Sequence, residues 1–254
     1  MEQTSKIALV TGGSRGLGKN MALSLAQKGN DVIIVYRSNE NEANGVVSEI
    51  EQLGRAAAAV QLDVADTKAF PAFFERVSAI LQEKWGRESF DFLINNAGID
   101  RYSAFADTTE EDFDELMNVH FKGVYFLTQK ALPLIADGGR IINLSTGLAR
   151  FSTPGYAAYA SMKGAIEVFT RYIAKELGHR GISANVVAPG IIHTDFTRDA
   201  FASHEGLEGY MSSITALGRV GLPEDIGGIV AFLCSKEAGW ITAQRIEASG
   251  GMYL

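Results

Sequence analysis

Seven short apolar runs, each separated from the next by a helix-length stretch, constrain this 254-residue chain more than any other feature. Runs of this kind, rich in Val, Ile and Leu and ended by turn residues, read as strands buried on both faces. They fall at 7–10, 31–36, 56–62, 90–94, 140–144, 182–187 and 244–248. Between them, helical segments are expected over 17–28, 41–53, 67–85, 110–135, 155–178 and 223–234. Leu17, Met21 and Leu25 carry helical spacing, and Gly29 is placed to cap that helix. Each gap is long enough for a helical crossover, which makes the strands parallel. The expectation is an α/β fold with a doubly wound, seven-stranded parallel sheet and helices on both faces. No linker, repeat or low-complexity tract interrupts the series, so residues 1–254 are expected to form a single domain. Only 190–221 lacks clear spacing, and a long irregular stretch in a compact domain is usually functional.

Charge and composition exclude several classes. Lys and Arg total 23 against 30 Asp and Glu, a net charge of −7 with no basic cluster, which argues against nucleic-acid or anionic-membrane binding. Cys234 is the lone cysteine and lies in an apolar run, so it reads as core; with four His at no ligand spacing, no metal site is expected. The first apolar run starts at Ile7, which leaves no room for a signal peptide. No apolar stretch nears the roughly 18 residues that cross a bilayer. The expected location is the cytoplasm. With 27 Gly and only 5 Pro, the chain favours tight turns and close backbone approaches over stiff linkers.

The first strand and helix are joined by Thr11-Gly12-Gly13-Ser14-Arg15-Gly16-Leu17-Gly18. Glycines here let the backbone turn sharply and approach a pyrophosphate, which can rest on the positive helix N-terminus. The spacing departs from G-x-G-x-x-G, and a purely structural turn is the plain alternative. Gly12-Gly13-Ser14-Arg15-Gly16 also fits the G-x-S-x-G elbow of α/β-hydrolases. That elbow follows a central strand with its acid and histidine downstream, whereas this turn follows the first strand. The late histidines, His179, His193 and His204, each have a simpler local reading.

With Tyr159-Ala-Ser-Met-Lys163 added, the chain resembles the short-chain dehydrogenase/reductase family over essentially its whole length. The matching motifs are Thr11-Gly12-x-x-x-Gly16-x-Gly18, Asp63-Val64, Asn95-Asn96-Ala97-Gly98, Tyr159-x-x-x-Lys163, Pro189-Gly190 and Gly250-Gly251. The resemblance implies a Rossmann fold, one dinucleotide-binding and catalytic domain, a nicotinamide cofactor and a homotetramer. Tyr159 and Lys163, four residues apart, share a helix face. A free phenol titrates near pH 10, and a lysine cation one turn away is expected to lower that value. By resemblance Tyr159 is the general acid in carbonyl reduction and Lys163 also holds the nicotinamide ribose. A surface Tyr and Lys on one helix is the bland alternative.

Cofactor choice follows from charge. An NAD enzyme usually ends its second strand with an acid that bonds the ribose 2′-hydroxyl. Here the strand ends Val35-Tyr36-Arg37-Ser38, and Arg15 stands in the glycine turn. Two guanidiniums on a 2′-phosphate select NADP over NAD, unless both are merely solvated. The resemblance implies that Gly12, Ser14, Arg15, Gly16, Leu17, Gly18, Arg37 and Ser38 bind the cofactor. It further implies that Asp63 bonds the adenine edge, Val64 packs on it, and Asn95, Ala97 and Gly98 run under the adenosine ribose. Past Pro189 and Gly190, Ile192 and Thr194 bind the carboxamide.

Two positions depart from the family's catalytic set. Val119-His120-Phe121-Lys122-Gly123-Val124 aligns with a Val-Asn-Leu-Lys-Gly-Val pattern, placing His120 where relatives carry Asn; Asn118, two residues earlier, points elsewhere. Thirteen residues before Tyr159 stands Thr146, second of a Ser145-Thr146 pair, with the hydroxyl needed to bond a substrate carbonyl. The expected function is NADPH-dependent interconversion of a small-molecule ketone and its secondary alcohol by hydride transfer. Alternatives are a 3-oxoacyl-carrier-protein reductase, weakened because 132–137 carries no cation, and a catalytically weak cofactor-binding or regulatory protein. The segment 191–221 is expected to form the substrate lid, with Phe196, Phe201 and Tyr210 as an apolar wall.

Overall fold

In the computed structural model, which describes residues 5–254, the seven apolar runs pair into one parallel sheet. The strands are β1 (Ile7–Thr11), β2 (Asp31–Tyr36), β3 (Ala57–Gln61), β4 (Phe90–Asn95), β5 (Ile135–Leu144), β6 (Ser183–Pro189) and β7 (Arg245–Ala248). Their order is β3-β2-β1-β4-β5-β6-β7. The chain runs outward from β1 to β3, then returns to the far side of β1 as β4. That reversal opens a crevice beyond the carboxyl ends of β1 and β4, the usual ligand site of an open α/β sheet.

Alternation along each strand splits the core in two. Ala8 and Val10 face one cluster, which includes Met21 and Leu25 of α1 (Gly16–Gln27), Val46 of α2 (Glu40–Gln52) and Val230 of α9 (Glu224–Leu233). Ile7 and Leu9 face the other, with Phe73 and Leu81 of α3 (Phe70–Trp85), Leu127 of α5 (Gly123–Ala131) and Ile173 of α6 (Ala157–Leu177). Both faces are thus covered, and both β1 sets are fully buried.

Two segments differ from the sequence reading. The helix expected over 110–135 is broken into α4 (Glu110–Met117), a π-helical turn at Asn118–Lys122, and α5. It ends at Ala131, two residues before Pro133, which cannot continue a helix. Ile135 instead pairs with Phe90 and opens β5, with a register shift between Phe90 and Phe92. The stretch 190–221 is not irregular throughout: it holds α7 (Asp195–Ser203) and α8 (Leu207–Ser213). The Thr194 backbone N–H donates to Thr197 Oγ1 at 3.2 Å, capping α7, and Gly206 at φ +83° separates the two helices. Among the described residues, no helix is long and apolar enough to cross a membrane, and no His, Cys, Asp or Glu cluster could hold a metal.

The glycine turn depends on close backbone packing. A Cβ on Gly18 would collide with the Gly12 carbonyl and lie 2.6 Å from Asn96 Nδ2. Overpacking of this kind costs about 1–3 kcal/mol. Gly18→Ala is therefore expected to lower Tm by about 4–10 °C in differential scanning calorimetry. An unchanged Tm would show that the turn relaxes freely.

Candidate active site

Tyr159 stands in the first turn of α6 and Lys163 one turn further on. Thr146 follows β5 directly; its hydroxyl accepts the Leu148 N–H at 3.3 Å and lies near the Tyr159 phenol. Lys163 is 5% exposed; its Nζ donates to the Leu144 carbonyl at 2.8 Å and lies 5.7 Å from the Tyr159 ring centre. Burial alone brings the ammonium down to about 8. The phenol moves opposite to the sequence expectation. Burial, with the charges of Asp100 and Tyr156, pushes Tyr159 well above its ordinary value, and the nearby Thr146 hydroxyl only partly opposes this. Lys163 is turned toward a carbonyl of β5, so desolvation outweighs any stabilisation of the phenolate.

His120 lies in the π turn, where the Gly123 N–H reaches back to the Asn118 carbonyl. Gly123 lets that turn press on Val64, whose carbonyl a Cβ would strike. His120 is 1% exposed, and its ring stands perpendicular to Tyr159 at 5.0 Å between centres. Nε2 lies 2.8 Å from the Ile99 carbonyl and 3.2 Å from the Ile99 N–H, so the tautomer sets which of the two it pairs with, and the buried Nδ1 has no partner among the described residues. Burial and the Lys163 charge hold the ring well below its usual pKa, so it is neutral. The imidazole fills the room left by Gly98, whose Cβ would come within 2.9 Å of it. Asn118 is only half-buried, and its carbonyl is the group engaged in the turn.

Ser145 serves a different partner from Thr146. Its hydroxyl donates to Glu167 at 2.7 Å, on α6. Arg245 Nε also bonds Glu167 at 2.7 Å, Nη1 bonds Glu247 at 2.9 Å, and Nη2 donates to the Thr146 carbonyl at 3.1 Å. This network, which sequence reasoning missed, ties the end of β5 to α6 and β7. Of the hydroxyl pair, Thr146 is therefore the one beside Tyr159.

The glycine turn has the shape of an anion cradle. Gly12 at φ +62° and Gly16 at φ +53° adopt left-handed backbone that other residues strain to reach. A Cβ on Gly12 would lie 3.0 Å from Ala97 Cα, and one on Gly16 would lie 3.7 Å from Thr194 Cβ. Ser14 and Leu17 line the same turn and are half-buried. Thr11 Oγ1 accepts the Asn96 and Ala97 N–H groups at 2.9 and 3.1 Å, while Asn96 Nδ2 donates to the Thr11 carbonyl at 2.9 Å. Thr11 and Asn96 stand in the matching motifs without an assigned role; here they lash the turn to β4. An open concavity edged by glycines at a helix N-terminus fits a dinucleotide pyrophosphate.

The other expected contacts divide. Arg37 and Ser38 are exposed past the end of β2, and Arg15 is exposed with its guanidinium 3.9 Å from Asp195. Asp63 is exposed beyond β3, its Oδ1 accepting the Ala65 N–H at 2.9 Å, and Val64 is buried beside it. Pro189 pairs with Ala248 at the end of β6. Gly190 passes close to Ser249, and Ile192 bridges to Gly221 under the start of the lid segment. The Asn95 side chain is 4% exposed and donates to Thr128 at 3.0 Å and Asn143 at 2.8 Å, so it points into the fold and leaves its backbone as the part that could run under a ribose. Of the expected apolar wall, Phe196 faces Tyr159 at 6.4 Å; Phe201 packs on His193 and Tyr210 lies beside Tyr253.

These placements separate the two hydroxyls by experiment. Thr146→Ala is expected to lower turnover by about 10²-fold, the scale of losing one donor at a developing oxyanion. Ser145→Ala is expected to cost about 1 kcal/mol of stability in urea unfolding while turnover stays within about threefold. Equal losses of turnover would contradict the division of roles.

A family model described as Enoyl-(Acyl carrier protein) reductase matches residues 12–253. The hydroxynaphthalene reductase-like protein Arp2 of Metarhizium brunneum is 37% identical, covering 97% of this chain and 94% of its own. The 3-oxoacyl-[acyl-carrier-protein] reductase FabG of Staphylococcus aureus is 39% identical, covering 98% and 99%. Among solved structures, the reductase LugOII, which catalyses keto-reduction at C1 during lugdunomycin biosynthesis, superposes with a TM-score of 0.93 at 37% identity over 100% of both chains. The angucycline C-6 ketoreductase LanV with bound NADP gives a TM-score of 0.93 at 36% identity over 98% and 96%.

Proposed function

Because this chain belongs to the short-chain dehydrogenase/reductase family, we propose that it reduces a ketone to a secondary alcohol with NADPH, with Tyr159 as the proton donor. The carrying observation is the placement of Thr146 near the Tyr159 phenol with Lys163 one turn away, at the sheet edge that also holds the glycine cradle. The residues that would hold the cofactor are Gly12, Ser14, Arg15, Gly16, Leu17 and Gly18 at the pyrophosphate, and Arg37 and Ser38 at the 2′-phosphate. Asp63, Val64, Ala97 and Gly98 would flank the adenosine, with Pro189, Gly190, Ile192, Thr194 and Lys163 toward the nicotinamide. NADPH, when bound, supplies the hydride.

The chain's own groups handle the proton. Thr146 and Tyr159 present two hydroxyls to one carbonyl oxygen. The upward shift of the phenol keeps it protonated at neutral pH, which is the form a reduction needs. Lys163 is charged below about pH 8, and its cation offsets the phenolate charge once the proton has left. His120, neutral, adds no competing charge and buttresses the tyrosine ring.

Tyr102, Tyr156, Tyr159 and Phe196 form a chain of ring contacts at 5.5, 6.5 and 6.4 Å between neighbours, a surface that suits an aromatic ketone. The relatives named for hydroxynaphthalene and angucycline reduction support this class. Reduction of a 3-oxoacyl group on a carrier protein is a second reading, favoured by the Staphylococcus aureus relative. The reading includes a single domain over 1–254 with its lid at 191–221, a cytoplasmic location and a homotetramer. Exposed Tyr125, Phe126, Val168 and Tyr172 on α5 and α6 support assembly through those helices. Light scattering is expected to give four times the 27.4 kDa chain mass, and a monomer at micromolar concentration would contradict it.

A panel of aromatic and 3-oxoacyl ketones, followed by NADPH absorbance, tests the function and separates the two substrate classes. Tyr159→Phe is expected to lower turnover by at least about 10²-fold while NADPH binding is kept. In titration calorimetry, Arg37→Asp is expected to weaken NADPH by at least about tenfold, the scale of one charge-assisted bond. Equal wild-type affinities for NADPH and NADH would overturn the cofactor assignment.

A further inference from the structure

One carboxyl group beside Tyr159 has no part in that chemistry. Asp100 lies just past the Asn95-Asn96-Ala97-Gly98 segment, close enough for its charge to act on both Tyr156 and Tyr159. Its Oδ1 is buried, and no donor among the described residues reaches it. The adjacent cation is committed elsewhere. Arg101 Nη1 donates to the Asp100 backbone carbonyl at 2.8 Å, Nη2 holds Glu115 at 2.5 Å, and Nε faces Asp112 at 3.5 Å. The backbone leading into Asp100 is anchored, because His120 Nε2 contacts the peptide groups of Ile99.

A buried acceptor without a donor is destabilising, and such groups persist where a ligand completes them. Loss of water on burial raises the Asp100 pKa, and the charge of Arg101 opposes this only in part. The Asp100 charge reaches Tyr156 and Tyr159, and Tyr102 stands edge-to-face on Tyr156 at 5.5 Å between centres. An acceptor at the border of an aromatic surface discriminates sharply, because a substrate lacking the donor leaves the acceptor unpaired.

Resting on the ketone-reductase reading above, we propose that Asp100 is a specificity-determining residue that accepts a hydrogen bond from the substrate, selecting aromatic ketones that carry a hydroxyl or ammonium donor. The shared chemistry is an N–H or O–H aimed at Oδ1, and the two sources separate by experiment.

The test uses the full-length protein with NADPH and 1-tetralones bearing a hydroxyl at successive ring positions. Each is paired with its methyl ether, which cannot donate, and with its aminomethyl counterpart. For at least one position, kcat/KM is expected to favour a donor-bearing ketone over the ether by about tenfold or more. In Asp100→Leu that ratio is expected to fall to within about twofold of unity; effects common to all substrates, such as a changed Tyr159, cancel in it. Asp100→Asn keeps an acceptor oxygen without the charge, so a preference for hydroxyl that survives in it identifies the hydroxyl as the donor. A preference for ammonium that is lost in it identifies the cation. Calorimetry with the matching tetralols reads the same ratio as binding without turnover, and NADPH titration checks that each variant is folded. Tetralones reduced at equal rates whatever their donor, or a donor preference unchanged in Asp100→Leu, overturn the inference and leave the reductase reading standing. Failure to reduce any tetralone overturns the aromatic-ketone reading first, and the inference with it.

Discussion

A sheet whose strands all run one way delivers every carboxyl end to the same edge, and each group of the site hangs from that edge. Tyr159 and Lys163 come from α6, Thr146 from the end of β5, His120 from the turn between α4 and α5, and the glycine cradle from the end of β1. What aligns them is the pairing of β4 with β5, which sets Asn95 opposite Asn143. Those two side chains bond each other, and Thr128 and Thr170 close the set from α5 and α6 at 3.0 and 2.9 Å. This is a buried polar brace beneath the site. A slip of register would leave its amides unpaired in the core, which makes the observed pairing specific as well as favourable.

The same burial tunes the titrating groups. Removal from water disfavours the charged form of each, so it raises Tyr159, lowers Lys163 and keeps His120 neutral. The result is a neutral proton donor, a cation near its titration point and an uncharged imidazole, all in contact. For Lys163 the linkage sign is clear. Its folded value of about 8 lies below the unfolded one, so the unfolded chain binds more protons between the two, and burying the ammonium costs stability below pH 8 that returns as the pH rises. A cation kept in place at such a cost belongs to function more than to folding.

Most of the architecture was legible in the sequence because buried parallel strands must be apolar on both faces, and a continuous apolar run bounded by turns has few other readings. Strand bounds accordingly agree within a few residues at most ends, β5 excepted. The π turn was illegible for the converse reason. It adds one residue to a turn, a change too small to disturb helical spacing, and it is held by the contact of Gly123 with Val64, 59 positions away in the chain. The start of β5 at Ile135 was hidden likewise, because Leu134 and Ile135 suit a helix end and a strand start equally well.

The sequence by itself determined the fold class, the glycine cradle and the spacing that puts Tyr159 and Lys163 on one helix face, since each follows from local periodicity or from a residue's own backbone freedom. Tertiary structure alone decided which neighbour of a pair does what. Alternation requires Ser145 and Thr146 to point apart, but Glu167 and Arg245, on other elements, determine that Ser145 is the one turned away. Asn95 was drawn into the core by Asn143 and Thr128, and Asp100 Oδ1 was left without a donor while Arg101 reached Glu115 and Asp112. Side-chain direction at these positions is a competition among partners distant in the chain, and local sequence carries no record of which partner wins.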